Sequence, residues 1–146
     1  MRVAIIPARG GSRRIPRKNI RQFYGHPIIA HSIIHAAKTE LFDRIVVSTD
    51  DDEIADISVS YGASVIRRAP EYCHDDVGTQ DVMAAVLRQA EEYFDTPIEA
   101  ACCIYATAPL MMAEDIIKGY NTLIDDDACS FAFAVNADQL FDAGQF

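Results

Sequence analysis

Short apolar runs alternate along the chain with segments in which apolar residues recur at helical spacing. The first run, residues 3–6, is rich in β-branched residues and ends at Pro7, which predicts a strand buried on both faces. From Pro27 onward, apolar residues recur every three or four positions and predict the first helix. Those positions are Ile29, Ile33, Ala36 and Ala37. The run over residues 44–48 predicts a second strand.

Polar residues mark where the next helices begin. Asp50 and Glu53 have the spacing of a capping box, and they predict a helix that ends at Gly62. A third strand is predicted over residues 63–66, and a polar loop then leads to Thr79, which is expected to cap a longer helix. The inward positions of that helix are Val82, Val86, Ala90 and Phe94.

The alternation continues through the second half of the sequence. A fourth strand is predicted over residues 101–105, a helix around residues 116–124 and a fifth strand over residues 128–135. Strands that alternate with helices are typical of an α/β fold with a mostly parallel sheet covered by helices on both faces. We therefore predict one Rossmann-like domain, which a chain of 146 residues is long enough to form.

The composition changes this picture little. Half of the residues are hydrophobic and 24% are charged, which is typical of a soluble globular protein. Because the apolar runs are too short for a signal peptide or a membrane span, we expect a cytoplasmic protein that does not bind membranes. The four cysteines lack CxxC spacing, so we expect reduced, mostly buried thiols in preference to a disulfide or a zinc site.

The distribution of charge is more informative than its total. The formal net charge is −9, yet residues 1–39 contain eight Lys and Arg residues, and the first acidic residue is Glu40. An acidic protein with one cationic segment is a poor nucleic-acid binder but can attract a small polyanion into a cleft.

The loop after the first strand holds most of these cations. In a parallel sheet, ligands bind outside the carboxyl ends of the strands, where residues 7–19 lie. They combine Gly10 and Gly11, which allow close approach to the backbone, with the Ser12 hydroxyl and five cations. Glycines alone are typical of a turn, and a run of arginines alone is typical of a solvated face. Found together after a buried strand, they predict a triphosphate site. The dinucleotide motif GxGxxG and the phosphate loop GxxxxGK[ST] are both absent.

Three segments resemble one enzyme family. The segments IIPARGGSRRIPRKNI, VVSTDDDEIA and YATAPL are similar to the CMP-sialate synthetase (acylneuraminate cytidylyltransferase) family, and within it to the pseudaminic acid branch. The resemblance implies transfer of CMP from CTP to the anomeric hydroxyl of a nine-carbon sugar acid, with release of pyrophosphate and a requirement for Mg²⁺. It also implies the nucleotide-diphospho-sugar transferase type of fold and a homodimer in full-length relatives.

The same resemblance assigns site residues. Arg9 and Lys18 match cations that contact the triphosphate and are the catalytic candidates, because fixed cations stabilise the charge that gathers on the α-phosphate and pyrophosphate. Arg68 matches an arginine that reads the base or ribose, and residues 77–79 match a segment that closes over the nucleoside. The full set implied for CTP is Pro7, Ala8, Arg9, Gly10, Gly11, Ser12, Arg13, Lys18, Asn19, Arg68, Val77, Gly78 and Thr79.

The sequence also departs from the family pattern. Tyr105 stands where sialate-specific members carry a glutamine that contacts the sugar, which argues against N-acetylneuraminate, while Arg14 and Arg17 resemble the pseudaminic acid branch. Family members are longer, and the additional part holds paired aspartates for Mg²⁺ and an arm that completes a neighbouring subunit. We therefore expect a shortened member, with a nucleotide-binding domain over residues 1–135, an unrelated tail over residues 136–146, no metal ligands assigned and weakened turnover.

Three other interpretations stay open. The eight-carbon sugar acid cytidylyltransferases have a similar first motif but usually carry proline where Asn19 stands. A binding module would use the cationic loop to hold CTP, RNA or another polyanion without chemistry. A catalytically inactive partner would only dimerise.

Overall fold

The computed structural model describes residues 1–11, 15–74 and 76–125. In chain order its strands are β1 (Arg2–Pro7), β2 (Gln22–Phe23), β3 (His26–Pro27), β4 (Arg44–Thr49), β5 (Ser64–Arg67) and β6 (Ala100–Cys103). Its helices are α1 (Ile28–Lys38), α2 (Asp52–Ser60), α3 (Thr79–Phe94) and α4 (Ala113–Asp125). Within these ranges, no helix has the length and apolar character needed to cross a membrane.

Four of the strands form a parallel sheet in the order β5-β4-β1-β6. β1 lies inside the sheet, so that Ala4 pairs with Ile45 of β4 on one side and with Cys102 of β6 on the other. The short strands β2 and β3 form a separate antiparallel hairpin that leads into α1. The parallel α/β fold predicted from the sequence is confirmed, whereas the predicted strand over residues 128–135 lies outside the described residues.

The core has two parts, one on each face of the sheet. Ala4 and Ile6 of β1 point to the face that holds Ile33 of α1, while Val3 and Ile5 point to the face covered by α3. Every residue from Val3 to Ile6 is fully buried, as expected for a strand covered on both sides. This packing fixes the carboxyl end of β1 and therefore the start of the cationic loop.

The helix ends differ in detail from the sequence predictions. The cap of α2 is Asp51, whose side chain accepts a hydrogen bond from the Ile54 N–H at 3.0 Å; the prediction that Asp50 caps this helix was wrong. Gly62, with φ of 89°, follows the end of α2 as predicted.

Two further assignments on the helices were also wrong. Thr79 is the first residue of α3 and Gly78 is its N-cap, so that no side chain caps this helix. Ala37 is exposed although its spacing predicted an inward position, because the buried stripe of α1 passes instead through Ala30 and Ser32.

The three described cysteines, Cys73, Cys102 and Cys103, carry free thiols. Burial raises the pKa of Cys102 to about 11, so its thiol stays protonated near neutral pH. Cys103 is exposed, contrary to the expectation of mostly buried thiols, because neighbouring side chains of a strand point to opposite faces and it is Cys102 that packs against the core.

Candidate functional site

The carboxyl ends of β1, β5 and β6 border one cavity of about 620 Å³. It lies where the strand order reverses. The chain runs from β1 through β4 to β5 on one side of β1 and then crosses back to β6 on the other side, and such a reversal is the usual ligand position in these sheets. Seven of the residues predicted from the sequence line this cavity: Pro7, Arg9, Lys18, Asn19, Arg68, Val77 and Thr79. Residues far apart in sequence are thus brought together by the fold.

The other predicted residues that the structure describes lie within two residues of the cavity lining, and they are Ala8, Gly10, Gly11 and Gly78. Ala8 is fully buried, and its N–H donates to the Ser48 carbonyl at 2.9 Å, which continues the pairing of β1 with β4. Gly78 caps α3 next to the lining residues Val77 and Thr79. The predicted residues Ser12 and Arg13 lie outside the described part of the chain.

The described lining of the cavity is cationic. It includes Arg9, Lys18 and Arg68, and none of the described lining residues is acidic. In a chain whose formal net charge is −9, this local excess of positive charge indicates a site for an anion.

Arg68 is the most buried of these cations, with 9% of its surface exposed. Its guanidinium donates from Nη2 to the Ser48 carbonyl at 3.1 Å and from Nε to the Ser48 hydroxyl at 3.4 Å. Among the described residues no carboxylate is hydrogen-bonded to it, and burial lowers its pKa from the ordinary value. A buried cation held by neutral oxygens is well suited to receive an electron-rich ligand group.

Asn19 closes the cationic loop. It is 7% exposed, and its Nδ2 donates to the Arg9 carbonyl at 2.9 Å, so the amide joins the end of the loop to a residue near its start. Arg9 also donates from Nη1 to the Cys73 carbonyl at 3.4 Å, which ties this loop to the one after β5. Both residues therefore shape the cavity as well as line it.

Gly10 packs closely against the start of α2. Its N–H donates to Asp50 Oδ1 at 2.8 Å, and a Cβ at this position would lie 2.7 Å from Asp51 Oδ2. The sequence suggested that both glycines free backbone N–H groups for phosphate, but this N–H already has a carboxylate partner. Gly11 has open space around it.

Replacing Gly10 with alanine is expected to lower the free energy of unfolding by about 1–3 kcal/mol, because the added methyl group would press on the Asp51 side chain. The Gly11→Ala variant is the matched control, since nothing lies within 4 Å of the added Cβ. Urea unfolding of the two variants measures the difference. Equal stability of both would contradict the proposed close contact.

Arg17 does not line the cavity. Its guanidinium pairs with Asp51 at 2.6 Å and with Glu53, both at the start of α2. The interpretation of the loop as a cradle of five cations is therefore wrong for this residue, since its charge is directed to carboxylates. Arg14 lies outside the described residues.

The loop after β6 forms the opposite wall. Tyr105 lines the cavity, and its hydroxyl lies 3.2 Å from the Thr79 hydroxyl at the start of α3. The Tyr105 carbonyl accepts a hydrogen bond from the fully buried Ser32 hydroxyl at 2.9 Å. Neither Ser32 nor Ser48 was predicted from the sequence, although Ser32 interrupts the apolar stripe of α1 and could have indicated a polar contact.

The described residues do not assemble a seat for a divalent cation. No three of their His, Cys, Asp or Glu side chains come together as a metal-binding group. Asp50 accepts the Gly10 N–H, and Asp51 is held by Arg17 and the Ile54 N–H. The carboxylates nearest to the loop are therefore used in holding the loop and α2.

Comparison with known proteins shows the family to which the chain belongs. A sequence model described as Cytidylyltransferase matches residues 3–142, and the chain belongs to the cytidylyltransferase family. Its relatives include the pseudaminic acid cytidylyltransferase of Campylobacter jejuni, which is 38% identical over 135 residues, covering 90% of this chain and 56% of that protein. The CMP-N,N'-diacetyllegionaminic acid synthase of Legionella pneumophila is 40% identical over 120 residues, which cover 78% of this chain and 49% of that protein.

Solved structures support the fold. The CMP:2-keto-3-deoxy-manno-octonic acid synthetase complexed with CTP matches with a TM-score of 0.72 at 24% identity, covering 87% of this chain and 48% of that one. The 4-diphosphocytidyl-2C-methyl-D-erythritol synthase of Anaerococcus prevotii matches with a TM-score of 0.61, and the match covers 94% of this chain and 65% of that one. The chain spans about half the length of the curated relatives described above.

Proposed function

We propose that this chain forms the CTP-binding part of an enzyme that transfers CMP to a nine-carbon sugar acid, with pseudaminate preferred over legionaminate and sialate. The observation that carries the proposal is the cavity at the strand ends, whose described lining presents Arg9, Lys18 and Arg68 without an acidic residue. Membership of the cytidylyltransferase family supports CTP as the nucleotide. The names of the relatives support a nine-carbon sugar acid as the acceptor.

The proposed reaction explains why the cavity is cationic. The sugar hydroxyl attacks the α-phosphorus of CTP, forms a new P–O bond and loses its proton, while the bond to the β-phosphate breaks and pyrophosphate leaves. Negative charge therefore grows on the phosphate oxygens and on the leaving group, and fixed cations stabilise it. In this proposal Arg9 and Lys18 contact the triphosphate, while Arg68 contacts the base or ribose.

Mg²⁺, cytoplasmic location and homodimeric assembly belong to the same proposal as expectations from the sequence. A bound Mg²⁺ would neutralise charge on the triphosphate during transfer. Because the described residues do not form a seat for the ion, the contributions assigned to this part of the chain are binding and orientation of the nucleotide.

Calorimetric titration with CTP, ATP and GTP tests the proposal. We expect CTP to bind at least about tenfold more tightly than ATP or GTP, a difference of about 1.4 kcal/mol. The same protein is titrated with single-stranded RNA at several salt concentrations, because a polyanion-binding module would show strong salt dependence and little base preference. Equal affinity for the three nucleotides, or tighter binding of RNA at moderate salt, would contradict the proposal.

A further inference from the structure

Arg17 has an unusual backbone conformation directly before two residues of the cavity. Its φ is 55°, in the left-handed region that non-glycine residues seldom adopt. The 3-10 turn Lys18–Ile20 begins at the next residue, and Lys18 and Asn19 both line the cavity. The direction in which these two side chains leave the backbone therefore depends on the conformation at residue 17.

The side chain of Arg17 supplies contacts that offset this conformation. Nη1 lies 2.6 Å from Asp51 Oδ2, Nη2 lies 3.2 Å from Asp51 Oδ1, and Nη2 also contacts Glu53. The hydrogen bond from Arg17 holds the pKa of Asp51 below its ordinary value, so this carboxylate is ionised at neutral pH. The guanidinium thus joins the loop to the first turn of α2.

Asp51 connects three parts of the site. Its Oδ1 accepts the Ile54 N–H and caps α2, its carboxylate pairs with Arg17, and its side chain packs against Gly10. Gly10 and Arg17, which lie toward opposite ends of the cationic loop, therefore both contact Asp51. Lys18, in contrast, forms no ion pair with any residue in the described part of the chain and lines the cavity.

We propose that Arg17 is a positioning residue, whose ion pairs with Asp51 and Glu53 hold the loop so that Lys18 and Asn19 face the triphosphate. Arg17 increases affinity for the triphosphate without contacting it. This inference rests on the proposed function of the cavity as a CTP site. The competing arrangement is one in which Arg17 leaves its carboxylates and contacts the phosphates directly.

The Asp51→Asn variant separates these two arrangements. Asparagine is a good N-cap, so α2 keeps its cap while the charge that holds Arg17 is lost. If Arg17 acts through the loop, the variant should bind CTP about five- to tenfold more weakly, even though a negative charge near the site has been removed. If Arg17 contacts the phosphates, the variant should bind CTP equally well or more tightly.

The Arg17→Gly variant tests the other side of the contact. Glycine adopts positive φ without strain, so the backbone conformation stays accessible and only the ion pairs are removed. We expect a similar loss of CTP affinity, with affinity for CMP nearly unchanged, because CMP lacks the β- and γ-phosphates that Lys18 is proposed to contact. Arg17→Lys, which keeps a cation near Asp51, should recover part of the affinity.

The matched control is Asp52→Asn. Asp52 is the next residue on α2 and pairs with Arg67 at 2.6 Å, an exposed contact that does not involve the cationic loop. The Asp52→Asn variant should bind CTP with the same affinity as the unaltered protein. Calorimetry with CTP and CMP, together with thermal unfolding, is carried out on all variants.

The outcomes distinguish a failure of the positioning role of Arg17 from a failure of the proposed CTP-binding function. Unaltered protein that binds CTP, together with an Asp51→Asn variant that binds it as tightly or more tightly, would overturn the positioning role alone. Equal losses of CTP and CMP affinity in Arg17→Gly, accompanied by lower thermal stability, would also overturn it, because they show a general structural role. Failure of the unaltered protein to bind CTP would overturn the proposed function and this inference together.

Discussion

Replacing Arg68 with methionine is expected to weaken CTP binding by about 100-fold or more while leaving the unliganded protein equally stable or more stable. The binding loss follows from removing the most buried cation of the cavity. The stability effect follows because burial of this guanidinium is costly and its described hydrogen-bond partners are the neutral oxygens of Ser48. The Ser48 carbonyl also accepts the Ala8 N–H, so it keeps a partner in the variant.

Arg67→Met is the matched control for this substitution. Arg67 is the preceding residue, but its side chain is 55% exposed and pairs with Asp52 on the outside of the molecule. We expect small changes in stability and in CTP affinity, since exposed ion pairs contribute little. Calorimetry gives the affinities and urea unfolding without ligand gives the stabilities. A large loss of unliganded stability in Arg68→Met would show that Arg68 holds the fold and is not kept for a ligand.

The parallel sheet could be predicted from the sequence because its strands are short, apolar and separated by helical patterns. The run over residues 3–6 is buried on both faces, which leaves few alternatives to an inner strand of a parallel sheet. The position of the cationic loop directly after the first strand then predicted the site, because the loops that follow parallel strands lie at the same edge of the sheet. Arg9 lies in a loop found in this way, whereas Arg68 was assigned from the family resemblance. The fold brings the two to one cavity although they are far apart in sequence.

The choice between Asp50 and Asp51 as helix cap could not be predicted in the same way. The two residues have the same side chain, and local spacing favoured Asp50 because of Glu53. In the structure Gly10 binds Asp50 while Arg17 binds Asp51 and Glu53, so long-range contacts decide which carboxylate caps α2. Local patterns do not contain these contacts.

The different roles of the cations in the loop could not be predicted from the sequence for a similar reason. Arg17 and Lys18 are adjacent and both basic, yet one binds carboxylates of α2 and the other lines the cavity. A left-handed φ at Arg17 separates their directions, and sequence patterns do not predict such a conformation for arginine. Ser48 was missed because a buried serine in a strand has no pattern of its own that indicates a partner.

Alanine at Arg9 or Lys18 is expected to weaken CTP binding by about 10- to 100-fold, because each removes a cation that lines the cavity. The controls are Arg2→Ala and Arg21→Ala, which remove basic residues of the same amino-terminal segment that do not line the cavity in the described structure. Arg2 begins β1 and Pro7, at its other end, borders the cavity, so Arg2 lies roughly 16 Å from the cavity along the strand. At physiological salt the Debye length is about 8 Å, and a charge at that distance is largely screened.

The comparison of these four variants decides how the segment acts on a nucleotide. Calorimetric CTP affinities that fall for Arg9 and Lys18 but stay within about twofold for Arg2 and Arg21 would indicate fixed contacts to the triphosphate. A diffuse positive field would produce similar losses at all four positions and the same reduction in salt dependence for each, because every cation would then contribute through its charge alone. Equal effects would therefore contradict the assignment of Arg9 and Lys18 as the residues that contact the triphosphate.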